Sequence, residues 1–285
     1  MAIKKVGVVG CGIMGGGIAQ VCAQSGYEVT ISEINDDLLN KGMKVIKGNL
    51  AKSVEKGKLS KEEEAAIVGR LKGTTKIEDF GDRDLVIEAA VENMGLKKKI
   101  FADLDRVCAP GAIMATNTSC LCVTEIAMAT KRPDKVLGMH FFNPVPVMKL
   151  LEIVTTIVSS QETFNTAKSF GQSLGKVVVI AKDTPAFIAN RIAVPMFIEA
   201  MKVYEEGLAT KEDIDNAMVY GYNHPMGPLA LADLVGLDTL LYVYDSMYQE
   251  FKDPKWAPPL LLKRMVTAGH LGRKSGKGFY DYTKK

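Results

Sequence analysis

Short apolar runs alternate with amphipathic stretches through the first two thirds of the chain, and amphipathic stretches alone fill the last third. Apolar runs too short for helices and bounded by glycine or polar clusters predict buried strands. They fall at 4–9, 27–31, 74–77, 84–90, 112–116, 136–140, 149–154 and 176–181. Helical spacing between them predicts helices at 18–25, 94–107 and 163–174. Strands separated by helices wind into a parallel sheet with helices on its faces. Two charged helical runs, Asp36–Lys56 and Ser60–Leu71, joined at Gly57, interrupt that alternation and read as an inserted helical arm. Lys182-Asp183-Thr184 closes it. Thr184 is placed to cap a helix with Pro185 at its first position, running to about Glu206 and kinked at Pro195. Helices follow at 211–219, 228–235, 238–251 and 258–268. The chain therefore reads as an α/β domain with a mostly parallel sheet, residues 1–184, and an all-α domain, residues 185–285.

The first strand ends in Gly10-Cys11-Gly12-Ile13-Met14-Gly15, and the second closes on Ser32-Glu33. Strand, G-x-G-x-x-G, helix, strand and acid in that order make a Rossmann-type, dinucleotide-binding unit. Gly10 permits the tight turn, Gly12 lets the backbone approach a pyrophosphate, and Gly15 lets helix and strand pack closely. The helix N-terminus attracts the phosphate charge. Glu33 is placed to accept hydrogen bonds from the adenosine ribose and to repel the extra phosphate of NADP, so NAD(H) is the expected cofactor. Ligands of such sheets sit at the carboxyl ends of strands, where Glu92, Asn117, Ser119 and His140 lie. Each alone reads as turn or capping chemistry. Four polar ends on one edge mark a site.

The stretch Gly138–Glu152 holds two apolar runs around a loop with Pro144 and Pro146. His140 and Glu152 are equidistant from Pro146, so an antiparallel hairpin centred there sets them opposite each other. Glu152 interrupts an apolar run, and a buried carboxylate needs a partner. A histidine held by such a carboxylate is a general acid–base arrangement, with one ring nitrogen fixed and the other able to act. It is equally a structural buried pair, and this stretch alone does not choose between them.

Composition narrows the partners. With 285 residues, 47% of them hydrophobic, the chain can build two cores. The net charge of +3 comes without a basic stripe interleaved with aromatics, so nucleic acid is not expected. The N-terminus reads as a strand rather than a signal peptide, and no apolar stretch suits a bilayer, so no membrane is expected. Five scattered cysteines argue against a disulfide framework and fit a cytoplasmic setting. Cys120 and Cys122 read as small buried thiols, and no metal is expected. Lys52 and Lys56 share a helix face, which is either solvated or fit for the phosphates of a large anionic substrate. The 238–251 helix is apolar over more than one stripe, as either a subunit interface or a core helix requires. The tail 271–280 is a basic, glycine-rich loop suited to pack on a phosphate or to close a site.

Taken together the motifs resemble one family. Gly10-x-Gly12-x-x-Gly15, Asn117-Thr-Ser119, Gly138-Met-His-Phe-Phe-Asn-Pro144, Asp183-Thr-Pro185 with Asn190-Arg191, His224-Pro-Met-Gly-Pro228 and Gly272-Arg-Lys-Ser-Gly-Lys-Gly-Phe-Tyr280 are similar, in order and over the whole length, to the L-3-hydroxyacyl-CoA dehydrogenases. Among these the likeness is to the stand-alone bacterial 3-hydroxybutyryl-CoA dehydrogenases. The resemblance implies hydride transfer between NAD(H) and a 3-hydroxyacyl-CoA, with His140 as acid–base and Glu152 as its orienting partner. It implies that Ser119 and Asn190 hydrogen-bond the reacting oxygen or the thioester carbonyl. Since Asn190 belongs to the helical domain, the implied site lies in a cleft between domains that closes on substrate. Cofactor contacts are implied for Gly10, Gly12, Ile13, Met14, Gly15, Glu33, Glu92, Lys97, Asn117, Ser119, Asn143 and Lys274. The helical arm resembles the family's coenzyme A clasp, with Lys52 and Lys56 as phosphate ligands. A homodimer or higher homo-oligomer through the helical domain is the implied assembly. Two positions depart from the pattern. Ala186 stands where the family usually has glycine, and it still suits a helical first turn. Cys120 stands where the family often has a second serine. The rival readings are a dehydrogenase of broader chain length, one acting on free 3-hydroxy or sugar acids, and a non-catalytic NADH-binding protein.

Overall fold

Eight apolar runs pair into one sheet: β1 (Lys5–Val9), β2 (Glu28–Ser32), β3 (Leu71–Thr74), β4 (Leu85–Glu88), β5 (Ile113–Thr116), β6 (Val136–Phe141), β7 (Leu150–Thr155) and β8 (Val177–Lys182). Their order is β3-β2-β1-β4-β5-β6-β7-β8. All neighbours are parallel except β6 and β7, the hairpin arms. The structure, a computed structural model, describes residues 3–283. The chain divides into two compact units, Met1–Thr184 and Pro185–Lys285, and the sheet lies in the first.

The helices of this unit are α1 (Ile13–Gln24), α2 (Asp36–Glu55), α3 (Lys61–Gly69), α4 (Met94–Val107), α5 (Val123–Ala127) and α6 (Gln161–Ser173). Polar caps start four of them: Asn35, Ser60, Asn93 and Ser160 each accept a first-turn N–H. Ser60 and Glu63 complete a capping box. Along the strands the side chains alternate between two cores. Leu85 and Ile87, Ile113 and Ala115, Leu137 and Met139 join one apolar cluster with α1 and α2. Val86, Met114 and Val136 join the other, with Phe101 and Leu104 of α4. Covering both faces is what a parallel sheet requires, and each fully buried aliphatic side chain contributes about 1.5–3 kcal/mol.

Several boundaries differ from the pattern. α1 begins at Ile13, not Ile18, because the glycines lie inside it. A Cβ on Gly15 would collide with the Gly10 carbonyl, and one on Gly17 would come within 2.9 Å of Val145. The third strand ends at Thr74 instead of starting there. The Thr74 hydroxyl donates to Asp79 and accepts the Lys76 N–H, turning Ile77–Phe80 into a 3₁₀ helix. The second arm helix stops at Gly69, since Leu71 pairs with Val29. The arm's longer helix, α2, packs closely on the fingerprint loop at Gly42, where a Cβ would strike Cys11.

The second unit comprises α7 (Ala189–Glu205), α8 (Lys211–Tyr222), α9 (Pro228–Val235), α10 (Leu237–Phe251) and α11 (Leu260–Thr267). Pro195 lies inside α7. The expected helix from Pro185 does not form: Ala186 and Phe187 take φ of 64° and 50°, and α7 starts only at Ala189. α10 buries Leu240, Val243, Tyr244 and Met247 as a core helix. Two buried aspartates organise the rest. Asp215 of α8 accepts from Leu229 N–H (2.8 Å) and Ala230 N–H (3.0 Å), capping α9, whose own N-cap is Gly227. Asp233 of α9 accepts from the Phe279 and Tyr280 N–H groups (2.9 Å each) and the Tyr282 hydroxyl (3.0 Å). The tail is thus folded around a carboxylate through Phe279, Tyr280 and Tyr282, while Arg273, Lys274 and Lys277 are exposed. No helix among the described residues is long and apolar enough to cross a membrane.

Candidate active site

The fingerprint loop is shaped for a pyrophosphate. Gly10 has φ of 99°, the left-handed turn between β1 and α1. A Cβ at Gly12 would meet nothing within 4 Å, so the backbone there faces open space. No side chain caps the α1 N-terminus, whose first-turn amides are therefore available to an anion. Ile13 is exposed and Met14 half-buried at that turn. At the end of β2, Glu33 accepts the Cys11 N–H (2.9 Å) on one oxygen and the Ile34 N–H (3.0 Å) on the other. Its carboxylate is held beside the fingerprint, where an adenosine ribose would lie. These features fit a dinucleotide.

The hairpin forms with the register that symmetry about Pro146 predicts. His140 pairs with Glu152 across β6 and β7, and His140 Nδ1 lies 2.7 Å from Glu152 Oε2. Glu152 is fully buried and His140 is 5% exposed. A carboxylate on Nδ1 fixes the ring and directs proton exchange to Nε2. The Phe142 ring packs on the imidazole, centroids 4.5 Å apart. Lys176, at the start of β8, closes the hairpin loop by donating to the Val145 (2.6 Å) and Met148 (2.7 Å) carbonyls. Burial pushes its ammonium below the ordinary lysine value. Asn143 follows β6 and is exposed.

The ends of β4 and β5 carry a buried polar network. Glu88, the last residue of β4, is fully buried and accepts from Lys97 Nζ (2.6 Å), Ala90 N–H (2.7 Å) and the Thr116 hydroxyl (2.7 Å). Lys97 is also 3.3 Å from Glu92 Oε2. Glu92 Oε1 in turn accepts the Thr118 hydroxyl and the Ser119 N–H (3.0 Å). Lys97 is therefore engaged by two carboxylates in the interior, and Glu92 holds the Asn117–Ser119 loop. Asn117 Oδ1 accepts the Phe141 N–H (2.9 Å), tying that loop to the end of β6. The Ser119 hydroxyl lies 3.4 Å from Cys120 Sγ.

Glu88, Thr116, His140 and Glu152 share one face of the sheet: Glu88 is in register with Thr116, Thr116 with Gly138, and His140 with Glu152. Asp183 adds a support. Its carboxylate accepts from Val123 N–H (3.0 Å), Thr124 N–H (2.6 Å) and the Thr124 hydroxyl (2.6 Å), capping α5 just after the Ser119 loop. Of the thiols expected to be buried, Cys120 is and Cys122 is not. Lys52 and Lys56 are exposed at the C-terminal end of α2. In the second unit, Asn190 is the second residue of α7, half-buried, and Lys274 is paired with Asp238 (2.5 Å).

Sequence reasoning overlooked Glu88, Thr116, Thr118, Lys176 and Asp183 as supports of the site. For Glu88 a signal was present. An acid closing the apolar run Leu85-Val-Ile-Glu88 is the same cue that singled out Glu152.

Comparison with known proteins covers the whole chain. Residues 5–184 match the family model for the NAD binding domain of 3-hydroxyacyl-CoA dehydrogenase, and residues 187–282 match that for its C-terminal domain. The chain is 48% identical over 280 residues to 3-hydroxybutyryl-CoA dehydrogenase of Clostridioides difficile, covering 98% of this chain and 100% of that one. It is 43% identical over 288 residues to the mitochondrial hydroxyacyl-coenzyme A dehydrogenase of Homo sapiens, covering 98% and 91%. Among solved structures, (S)-3-hydroxybutyryl-CoA dehydrogenase from Ralstonia eutropha superposes with a TM-score of 0.96 at 45% identity, over 99% of this chain and 100% of that one.

Proposed function

The chain belongs to the 3-hydroxyacyl-CoA dehydrogenase family, and from that premise we propose that it interconverts (S)-3-hydroxybutyryl-CoA and acetoacetyl-CoA, with related short-chain 3-hydroxyacyl-CoAs, using NAD(H). The observation that carries the reading is the buried, in-register His140–Glu152 pair on a sheet that also bears the dinucleotide fingerprint. When bound, NADH supplies the hydride for the C3 carbonyl. His140 gives its Nε2 proton to the developing alkoxide, and in the oxidative direction takes it back from the hydroxyl. Glu152 holds the imidazole in place through its contact with Nδ1. Positioned acid–base groups of this kind contribute about 10²–10⁴-fold in rate. The Ser119 hydroxyl and the Asn190 amide hydrogen-bond the substrate oxygens and hold the near-attack pose.

Glu33 sets the preference for NAD(H) over NADP(H), because a carboxylate there repels a ribose phosphate. Lys52 and Lys56 bind the phosphates of the coenzyme A moiety. The exposed apolar residues of the second unit, among them Leu208, Tyr220 and Tyr222, favour a homodimer or higher homo-oligomer, read by sedimentation.

The direct test mixes protein and NADH with a panel of acyl-CoA and free-acid substrates and follows NADH absorbance. Turnover with acetoacetyl-CoA is expected, and turnover with free acids alone would refute the reading. His140→Gln should lose at least about 10²-fold in kcat while still binding NADH. Near-normal turnover in that variant sinks the mechanism. Lys56→Glu should raise the KM for acetoacetyl-CoA and leave that for NADH unchanged; an unmoved acetoacetyl-CoA KM removes Lys56 from the substrate site.

A further inference from the structure

We propose that Arg191 is a positioning residue: its guanidinium, seated on the rings of Phe251 and Trp256, fixes the first turn of α7 and with it the direction of the Asn190 amide. The inference rests on the substrate contact proposed for Asn190 above. The guanidinium carbon of Arg191 lies 4.4 Å from the centre of the Phe251 ring and 5.3 Å from that of Trp256. The two rings close α10 and the 3₁₀ turn Pro254–Trp256, and they pack on each other with centroids 5.7 Å apart. Nη1 of Arg191 is buried and has no hydrogen-bond partner among the described residues. A guanidinium is costly to bury without compensation. Here the ring faces supply it, since a planar cation stacks on aromatic faces. A leucine or methionine would fill such a space at no electrostatic cost, so a charge placed there has a purpose beyond filling it.

The first turn of α7 is weakly joined to the rest of its helix. Pro195 has no N–H to give the Arg191 carbonyl, and its ring crowds that carbonyl. The regular ladder is thus interrupted where the turn meets the body of α7. On the other side the chain enters through Ala186 and Phe187, both in the left-handed region. The Arg191 N–H reaches back to the Ala186 carbonyl (3.2 Å), one residue beyond the regular helical partner. A turn between a proline and a left-handed entry is set by its tertiary contacts more than by the ladder. Val194 and Ile198 are buried on the same stripe of α7 as Arg191, and the aromatic seat extends that stripe through the first turn. Successive residues are about 100° apart around a helix axis. Anchoring Arg191 therefore fixes the azimuth at which its neighbour Asn190 leaves the helix.

The experiment is a double-mutant cycle on the full-length protein, read as kcat and KM for acetoacetyl-CoA and KM for NADH. Arg191→Met keeps the reach of the side chain and removes the cation. It should lower kcat/KM for acetoacetyl-CoA about tenfold, chiefly through kcat, and leave the KM for NADH unchanged. Arg191→Lys keeps a cation for the rings and should stay within about threefold of the unaltered protein. In an Asn190→Ala background the Arg191→Met loss should shrink to less than about twofold, because the amide that the arginine directs is already gone. A merely structural arginine predicts the same factor in both backgrounds. That result, unchanged kinetics in Arg191→Met, or a lysine variant no better than the methionine one overturns the proposal. Should Arg191→Met not fold, Phe251→Leu removes the nearer ring instead and carries the same expectation in the two backgrounds. If the unaltered protein does not reduce acetoacetyl-CoA with NADH, or if Asn190→Ala turns over normally, the functional reading fails and this inference with it; if Asn190→Ala is impaired and Arg191→Met is not, only this inference fails.

Discussion

Ala186 shows how much one Cβ can decide. The sequence reading put it in the first turn of a helix, where alanine is favourable. In the structure it is buried with φ of 64°, and Phe187 follows at 50°. In that region the Cβ crowds the carbonyl, at about 1–2 kcal/mol per residue. Glycine removes that cost and adds back about 0.4–1 kcal/mol of unfolded-state entropy. Ala186→Gly should therefore stabilise the protein by up to about 1 kcal/mol, and a lower denaturation midpoint would contradict the assigned backbone. The cysteines give a second test at this scale. Burial pushes the Cys120 thiol up to about 12, so it stays protonated at any working pH, whereas Cys122 is exposed. Brief alkylation followed by mass spectrometry should find Cys122 modified before Cys120. The reverse order would mean that the Ser119 loop is open.

Among the elements, the hairpin of β6 and β7 depends on a strand outside itself. The register of His140 and Glu152 comes from the period-two pattern and the loop between them, but the loop is closed by Lys176, the residue that leads into β8. Hydrogen bonds from a charged donor contribute about 1.5–3 kcal/mol when buried, and Lys176 is only partly so. Lys176→Met should lower stability by about 1–2 kcal/mol and reduce kcat more than the KM for NADH. Unchanged kcat would mean that the hairpin holds its catalytic pair without the lysine. The capping of α5 by Asp183 belongs to the same class: a carboxylate distant in sequence replaces the cap that Cys122 does not provide.

Across the whole molecule, each unit carries its stability in a few buried carboxylates as well as in its apolar cores. Glu88 and Glu152 serve the first unit, Asp215 and Asp233 the second. Asp233 gathers two backbone amides and a tyrosine hydroxyl of the C-terminal segment. Asp233→Asn replaces one acceptor oxygen by a donor facing those same groups. A loss of about 2–3 kcal/mol is expected, with faster limited proteolysis in residues 272–282. An unaltered cleavage pattern would show that the tail is held by packing alone.

The sequence by itself determined the alternation of strands and helices, the place where it stops, the dinucleotide turn and the pairing of His140 with Glu152. These depend on local periodicity and on residues joined by one short loop, so they are encoded in neighbouring positions. Only the tertiary structure decided that Glu88, Lys97, Glu92 and Ser119 form one network, that Asp183 caps α5, and that Asp215 caps α9. Each of those contacts joins segments whose proximity follows from strand order and helix packing. A side chain that must satisfy a buried partner declares its need in the sequence, as Glu88 and Glu152 both do, but the identity of the partner is settled only when the chain is folded.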